Sequence, residues 1–205
     1  MCAALQAPDH DRLFAIAEGQ DGYFTMAQAE EAGFGRSSHS YHVKAGNWIR
    51  ELRGIYRLRQ FSGSETGYLV PWWLWSRGRD GRPQGVYSHA TALALRDLAD
   101  ANPAKLDMTV PPRFRKSARI PPLLVLHKAR LAPGEIVSER GIAVTSVLRA
   151  IVDCARSGAI AREQLQQALA GGMARGLVTR REIRQARDDQ KLPAWLVALM
   201  KESAA

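Results

Sequence analysis

A mixed α/β fold in two parts is predicted by three observations. Helically spaced apolar residues dominate the two ends of the chain, while short β-rich runs such as WIREL, IYRLR, LDMTVP and LLVLHKARL lie between them. The polar run SGSETG follows Phe61 and divides a short front segment from a larger remainder. Within the front segment, Gly33 to Leu58 reads as a short helix, a glycine stop and a two-stranded ribbon turning at Arg53-Gly54. With helical pattern before it, that is the outline of a winged helix-turn-helix. The expected organisation is a winged helix-turn-helix at residues 1–62 and a larger mixed α/β domain at residues 63–205.

Composition sets the bounds. The chain has 205 residues, 46% apolar and 24% charged, which suits one sizeable domain or a small one joined to a larger one. No apolar run approaches the roughly 18 residues that a membrane span requires. The start, MCAALQAPDHDR, has neither a basic n-region nor an apolar h-region, so no secretory signal is expected. Cys2 and Cys154 are too few for a disulfide framework and have no Cys-x-x-Cys spacing. A reduced, cytoplasmic protein is expected.

The net charge of +9 and isoelectric point near 10.1 suit a polyanionic partner. Residues 1–62 balance seven Lys/Arg against seven Asp/Glu, with the acids mostly before residue 32. From Arg36 to Arg59 there are six basic residues against the single acid Glu51. Residues 76–205 carry 22 basic and 12 acidic residues, a diffuse excess that solubility alone could require.

Taken in order, Asp11–Gln20 has Leu13, Phe14, Ile16 and Ala17 at helical spacing, stopped by Gly22. Thr25 followed by Gln28 is a capping-box start for the helix MAQAEEA, which ends at Gly33. Ser37 or Ser38 can cap a third helix running to about Ala45, with Gly46 as its stop. At roughly 100° per residue, Ser38, Tyr41, Ala45 and Trp48 fall in one sector, expected to pack on the first two helices. Arg36, His39, Ser40, Val43 and Asn47 fall opposite, with His42 and Lys44 on the flanks.

A face of small, hydrogen-bonding and cationic side chains suits a major groove, where such groups meet base edges. Base-edge contact is therefore expected from Arg36, His39, Ser40 and Asn47. In the ribbon, Tyr56 and Leu58 can face the core while Arg57 and Arg59 face out. Cations on a ribbon beside such a helix are what phosphate contact requires, so Ser37, Lys44, Arg50, Arg53 and Arg57 are assigned to the backbone of double-stranded DNA.

These residues carry a family resemblance. Gly33-Phe34-Gly35-Arg36, Gly46-Asn47-Trp48 and Gly54-Ile55-Tyr56-Arg57 resemble the N-terminal winged helix of AbiEi-type antitoxins of type IV toxin–antitoxin (abortive infection) systems. The sequence departs from that pattern at Gly35, where Ser is common, and in a helix rich in Ser and His rather than Arg. Weaker similarity continues in YSHATALALRDLAD and RGIAVTSVLRAIVDCA, so that the resemblance covers about residues 11–185.

After the expected boundary, Trp72, Trp73 and Trp75 lack alternating cations and read as packing residues rather than base-stacking ones. Ser88 caps a helix bearing Ala90, Leu93, Leu95 and Leu98. LDMTVP, LLVLHKARL and GEIVSERGIAV read as strands, and Thr145 or Ser146 starts the helix VLRAIVDCARSG. Three further helices follow, AREQLQQALAGGMARG, TRREIRQARDD and PAWLVALMKES. Between two strands, PPRFRKSARIPP concentrates Arg113, Arg115, Lys116 and Arg119 without an acid, a possible second basic contact with DNA phosphates or an acidic protein.

Chemical motifs are few. There is no Gly-x-Ser-x-Gly, no phosphate-cradling loop, and no carboxylate or Cys joining His39 and His42 in a metal set. The nearest match to a nuclease Glu-x-Lys motif is Asp189-Gln190-Lys191, at the end of a helical stretch rather than on a strand. No enzyme, metal or cofactor is expected. The resemblance implies an antitoxin that represses its own operon and counters a nucleotidyltransferase-like toxin, without implying a stable complex between the two. The alternatives are a winged-helix regulator whose second domain senses a ligand or dimerises, and a DNA-processing enzyme on the same front end.

Overall fold

The computed structural model describes residues 7–99, 104–187 and 192–204. The chain is mixed α/β and divides into two compact units, Met1–Gln84 with Arg140–Ile142, and Gly85–Glu139 with Ala143–Ala205.

In the first unit α1 (His10–Glu18), α2 (Met26–Glu31) and α3 (Arg36–Lys44) pack on one face of a three-stranded sheet. Its strands are β1 (Tyr23–Thr25), β2 (Trp48–Leu52) and β3 (Ile55–Leu58), in the order β1-β3-β2 and antiparallel throughout. Local chemistry explains the start of α2: Thr25 and Gln28 form the reciprocal capping box, with Gln28 N–H donating to Thr25 Oγ1 at 3.2 Å and Thr25 N–H to Gln28 Oε1 at 2.8 Å. α3 begins otherwise than expected. Its N-cap is Gly35, and Ser38 Oγ donates back to the Gly35 carbonyl at 2.8 Å instead of capping the helix.

The core beneath these helices is aromatic. Phe24, Phe34, Trp48 and Tyr56 are buried together with Leu13, Ala17, Ala29 and Ala32. Trp48 meets Phe24 edge-on at 4.9 Å between centroids, and His42 stacks on Trp48 at 4.5 Å. Gly46 ends α3 at φ +77°, a conformation open to Gly at little cost, and so turns the chain into β2. At the ribbon tip Gly54 (φ +73°) makes the turn after Arg53, and its carbonyl accepts from Met26 N–H at 3.0 Å.

The break in the chain falls between Gln84 and Gly85, later than the expected 62/63. The reason is α4 (Val70–Trp75), which packs against all three strands of the first unit. Ile55, on the sheet face opposite Tyr56, is fully buried there. The tryptophans of α4 are half-buried packing residues, and Pro71 and Leu74 are buried outright.

The second unit is built on a five-stranded mixed sheet in the order β6-β5-β4-β8-β7. Its strands are β4 (Val86–Tyr87), β5 (Leu106–Val110), β6 (Leu124–Lys128), β7 (Ile136–Glu139) and β8 (Ile142–Thr145). β4 pairs antiparallel with β5 and parallel with β8, and β5 pairs parallel with β6. The helices are α5 (His89–Ala94), α6 (Val147–Ser157), α7 (Arg162–Ala174), α8 (Arg180–Arg187) and α9 (Ala194–Ala204). Ser146 caps α6 by accepting from Arg149 N–H at 3.3 Å. Ser88 precedes α5, but its Oγ is engaged by Thr109 Oγ1 at 2.8 Å and by His89 Nδ1 at 2.9 Å, so it caps nothing.

Candidate nucleic-acid interface

The outward face of α3 is rotated from the expected one. Ser37, Ser40, Tyr41 and Lys44 are exposed, with Arg36 beside them, and Tyr41 is 66% exposed. His39 lies on the other side, only 4% exposed, and its Nε2 donates to the Phe34 carbonyl at 3.0 Å. The assignment of His39 to base edges is therefore corrected: its ring packs between Trp48 at 5.3 Å and Tyr56 at 5.8 Å. The physical cause is the end of the helix. α3 stops at Lys44, so Trp48 belongs to a strand, and its helical angle did not identify the buried face. Val43, expected outside, packs against the core instead. Tyr41, expected inside because it shares the helical sector of Trp48, is exposed instead, and Ser37, Ser40, Tyr41 and Lys44 form an i, i+3, i+4, i+7 stripe on the outer face.

Asn47 is exposed just past α3 and is held by two local bonds. Its N–H donates to the His42 carbonyl at 3.0 Å, and its Nδ2 lies 3.4 Å from His42 Nδ1. Burial holds the His42 ring below its ordinary pKa, and the nearby His10 and His39 rings add to the effect. A neutral His42 therefore stacks on Trp48 and orients Asn47.

In the ribbon, Arg50 and the tip residue Arg53 are exposed. Register puts Arg50 opposite Tyr56, and a bulge lies between Arg50 and Leu52. Arg57 departs from its expected role. It is half-buried, its Nε donates to Glu51 Oε1 at 3.0 Å, and Nη1 donates to the Phe61 carbonyl. The guanidinium also sits 5.8 Å from the centre of the Tyr23 ring. Because β3 alternates, Arg57 shares the face of Ile55 and Ile49, and it braces the sheet there. Arg36 is 73% exposed and pairs with Glu30, a surface ion pair that water screens well. Arg59 is exposed, and its Nε donates to the Gly46 carbonyl at 2.7 Å.

The exposed residues thus include Arg36, Ser37, Ser40, Tyr41 and Lys44 along α3, Asn47 just past it, and Arg50 and Arg53 in the ribbon. These are hydrogen-bonding groups beside cations, without a buried acid or a metal cluster among them. Among the described residues no group of three or more His, Cys, Asp or Glu is arranged to hold a metal ion. Asp189-Gln190-Lys191, the nuclease match, lies outside the described residues. In the second unit Arg113, Arg115 and Arg119 are exposed and Lys116 is half-buried. No described helix is long and apolar enough to cross a membrane.

Comparison with known proteins agrees with the residue motifs at the front of the chain. Residues 11–59 match the family model described as "Transcriptional regulator, AbiEi antitoxin". The matched segment begins within α1 and ends just past the ribbon, so it contains the whole candidate interface. No curated protein sequence matches the chain. Among solved structures, the crystal structure of the RV2827C protein from Mycobacterium tuberculosis is similar at a TM-score of 0.48 and 16% sequence identity, covering 97% of this chain and 79% of that chain.

Proposed function

We propose that this protein, which carries an AbiEi-type winged helix at residues 11–59, is a DNA-binding antitoxin that represses its own operon and counters a nucleotidyltransferase-like toxin. The observation that supports it is the set of exposed residues on α3 and the ribbon. Ser40 and Tyr41, with Arg36, offer donors, acceptors and an aromatic edge on one exposed helix face, and Asn47 follows just past the helix. Ser37, Lys44, Arg50 and Arg53 surround them as phosphate contacts. Such an arrangement reads bases with the helix and holds register with the ribbon. It needs no cofactor, and its compartment is the cytoplasm, where DNA is found.

The test has two parts. Footprinting on the DNA upstream of the protein's own reading frame should show protection that random DNA of equal length does not. Co-expression with a neighbouring nucleotidyltransferase gene should restore growth. Equal affinity for upstream and random DNA would sink autorepression, and continued toxicity would sink the antitoxin role.

A second reading is favoured by one feature of the second unit. An open cavity of about 500 Å³ lies beside α6 and α8, lined in part by Glu135, Ser146, Arg149 and Glu182. A pocket of this size with charged walls suits a winged-helix regulator whose second domain senses a small polar ligand. Ligand-dependent release from the upstream DNA, without rescue from any toxin, would favour it.

A further inference from the structure

We infer that the outer edge of the second unit's sheet is a separate DNA-backbone-binding rim, formed by Arg113 and Arg115 with Lys128 and Arg130. The inference deepens the proposed function by adding a DNA contact in the second unit, but it rests on its own residues.

Sequence and topology combine to make the rim. Between Met108 and Gly134 there are six Lys/Arg and no Asp or Glu. In a chain with 20 acids, that gap leaves the segment with no carboxylate of its own. β6 is an edge strand among the described residues, so one side of it has no neighbouring described strand in the sheet.

Parallel pairing brings two separate groups of cations to the same corner. Val110, the last residue of β5, is in register with Lys128, the last residue of β6, and Ala129 N–H donates to the Val110 carbonyl at 3.1 Å. The chain leaving β5 turns at once, with Phe114 N–H donating to the Pro111 carbonyl at 2.8 Å. Phe114 is buried at 6% exposure, which pins the loop, while Arg113 and Arg115 on either side of it are exposed. Lys128 and Arg130 are exposed at the adjoining strand end. Arg119 extends the charge along the loop.

The chemistry of this corner fits a phosphate backbone better than a protein surface. The exposed apolar residues of the segment, Ile120 and Leu123, lie toward the start of β6, so the cationic end has no apolar centre around which a protein partner would pack. The rim residues on either side of Phe114 and at the end of β6 are all cations, the side chains that hold phosphate oxygens. The rim therefore binds duplex DNA without sequence preference, by displacing counterions.

The experiment compares three full-length variants by titration against operator and random duplexes over a range of salt. A rim variant carries Arg113→Gln, Arg115→Gln, Lys128→Gln and Arg130→Gln. A charge-keeping variant carries Arg113→Lys, Arg115→Lys and Arg130→Lys. A ribbon variant carries Lys44→Gln, Arg50→Gln and Arg53→Gln. Each phosphate contact adds about 0.9 to the slope of log affinity against log salt. The rim variant should lose about 2 to 4 from that slope on both duplexes and keep the operator-to-random ratio of the parent, with an unchanged unfolding midpoint. The charge-keeping variant should retain the parent slope. A rim slope equal to the parent's overturns the inference, as does a slope lost in the charge-keeping variant. Loss of binding to a polyglutamate peptide with an unchanged DNA slope overturns it in favour of an acidic protein partner. Failure of the proposed function is read elsewhere, in a ribbon variant that keeps its operator preference and slope.

Discussion

The Nε2 of His39 donates to the carbonyl oxygen of Phe34 at 3.0 Å, and this bond joins α3 to the end of the turn that precedes it. Both groups are buried, so the bond carries more weight than one at the surface. His39→Ala should lower stability by about 2 to 4 kcal/mol, from the unsatisfied carbonyl and the vacated space. Chemical denaturation measures the loss, and a competition assay well below the melting temperature should find the preferred DNA sequence unchanged. A change of preference at full folding would return His39 to the interface.

Tyr41 and Ser40 are the residues whose replacement should alter sequence choice. Selection from a random duplex pool with Ser40→Ala and Tyr41→Ala should yield a relaxed or shifted consensus, with discrimination falling by about 1 to 3 kcal/mol at the affected position. The same consensus as the parent would place both side chains outside the groove.

Arg57 and Arg53 should part company despite being four residues apart on one ribbon. Arg53→Gln removes an exposed cation and should lower affinity for all duplexes along with the salt slope. Arg57→Gln breaks the contacts with Glu51 and Phe61 and should lower the unfolding midpoint, with little effect on the slope. Parallel titrations and thermal melts of the two variants decide it.

Trp48 joins the aromatic groups of the first unit, touching Phe24, Phe34, His42 and Tyr56. Trp48→Ala should cost about 3 to 5 kcal/mol by denaturant titration. A loss below about 1 kcal/mol would mean the core repacks around the gap.

Acid should weaken the fold through two histidines. Burial depresses the pKa of His42, beside His10 and His39. Burial also depresses that of His89, which stacks on His127 at 3.7 Å and feels Asp153, Asp107 and Arg149. Both are neutral in the folded chain and take up protons more readily when unfolded. Stability should thus be full above the unfolded value near 6.5 and decline as pH falls through it. Thermal melts from pH 8 to 5 should show the decline, and His42→Asn with His89→Asn should flatten it.

Local chemistry was legible in the sequence where it is short-range. The capping box of Thr25 and Gln28, the stop at Gly46 and the turn at Gly54 each depend on residues within a few positions. The ribbon's inward Tyr56 and Leu58 followed from alternation. The facing of α3 was not recoverable from angle alone, since which side is buried depends on where Trp48 and Phe34 sit in three dimensions. Three-residue β1 is too short to signal itself. Arg57 read as a free cation because its partners Glu51 and Phe61 come together only when the sheet forms. In the second unit the helices showed their amphipathic spacing, but apart from β7 and β8, which are separated only by Arg140 and Gly141, the order β6-β5-β4-β8-β7 rests on pairings between distant segments that no local pattern encodes.

The packing of α4 on the sheet has a practical consequence for anyone wishing to transplant this DNA reader onto another protein. The motif-bearing segment ends near Leu58, yet Ile55 and its neighbours on that face are sheltered by a helix that begins at Val70. A graft cut after Ser62 would bring the whole candidate interface and leave one side of a three-stranded sheet greasy and open to self-association. A graft carried through Gln84 takes its own cover with it.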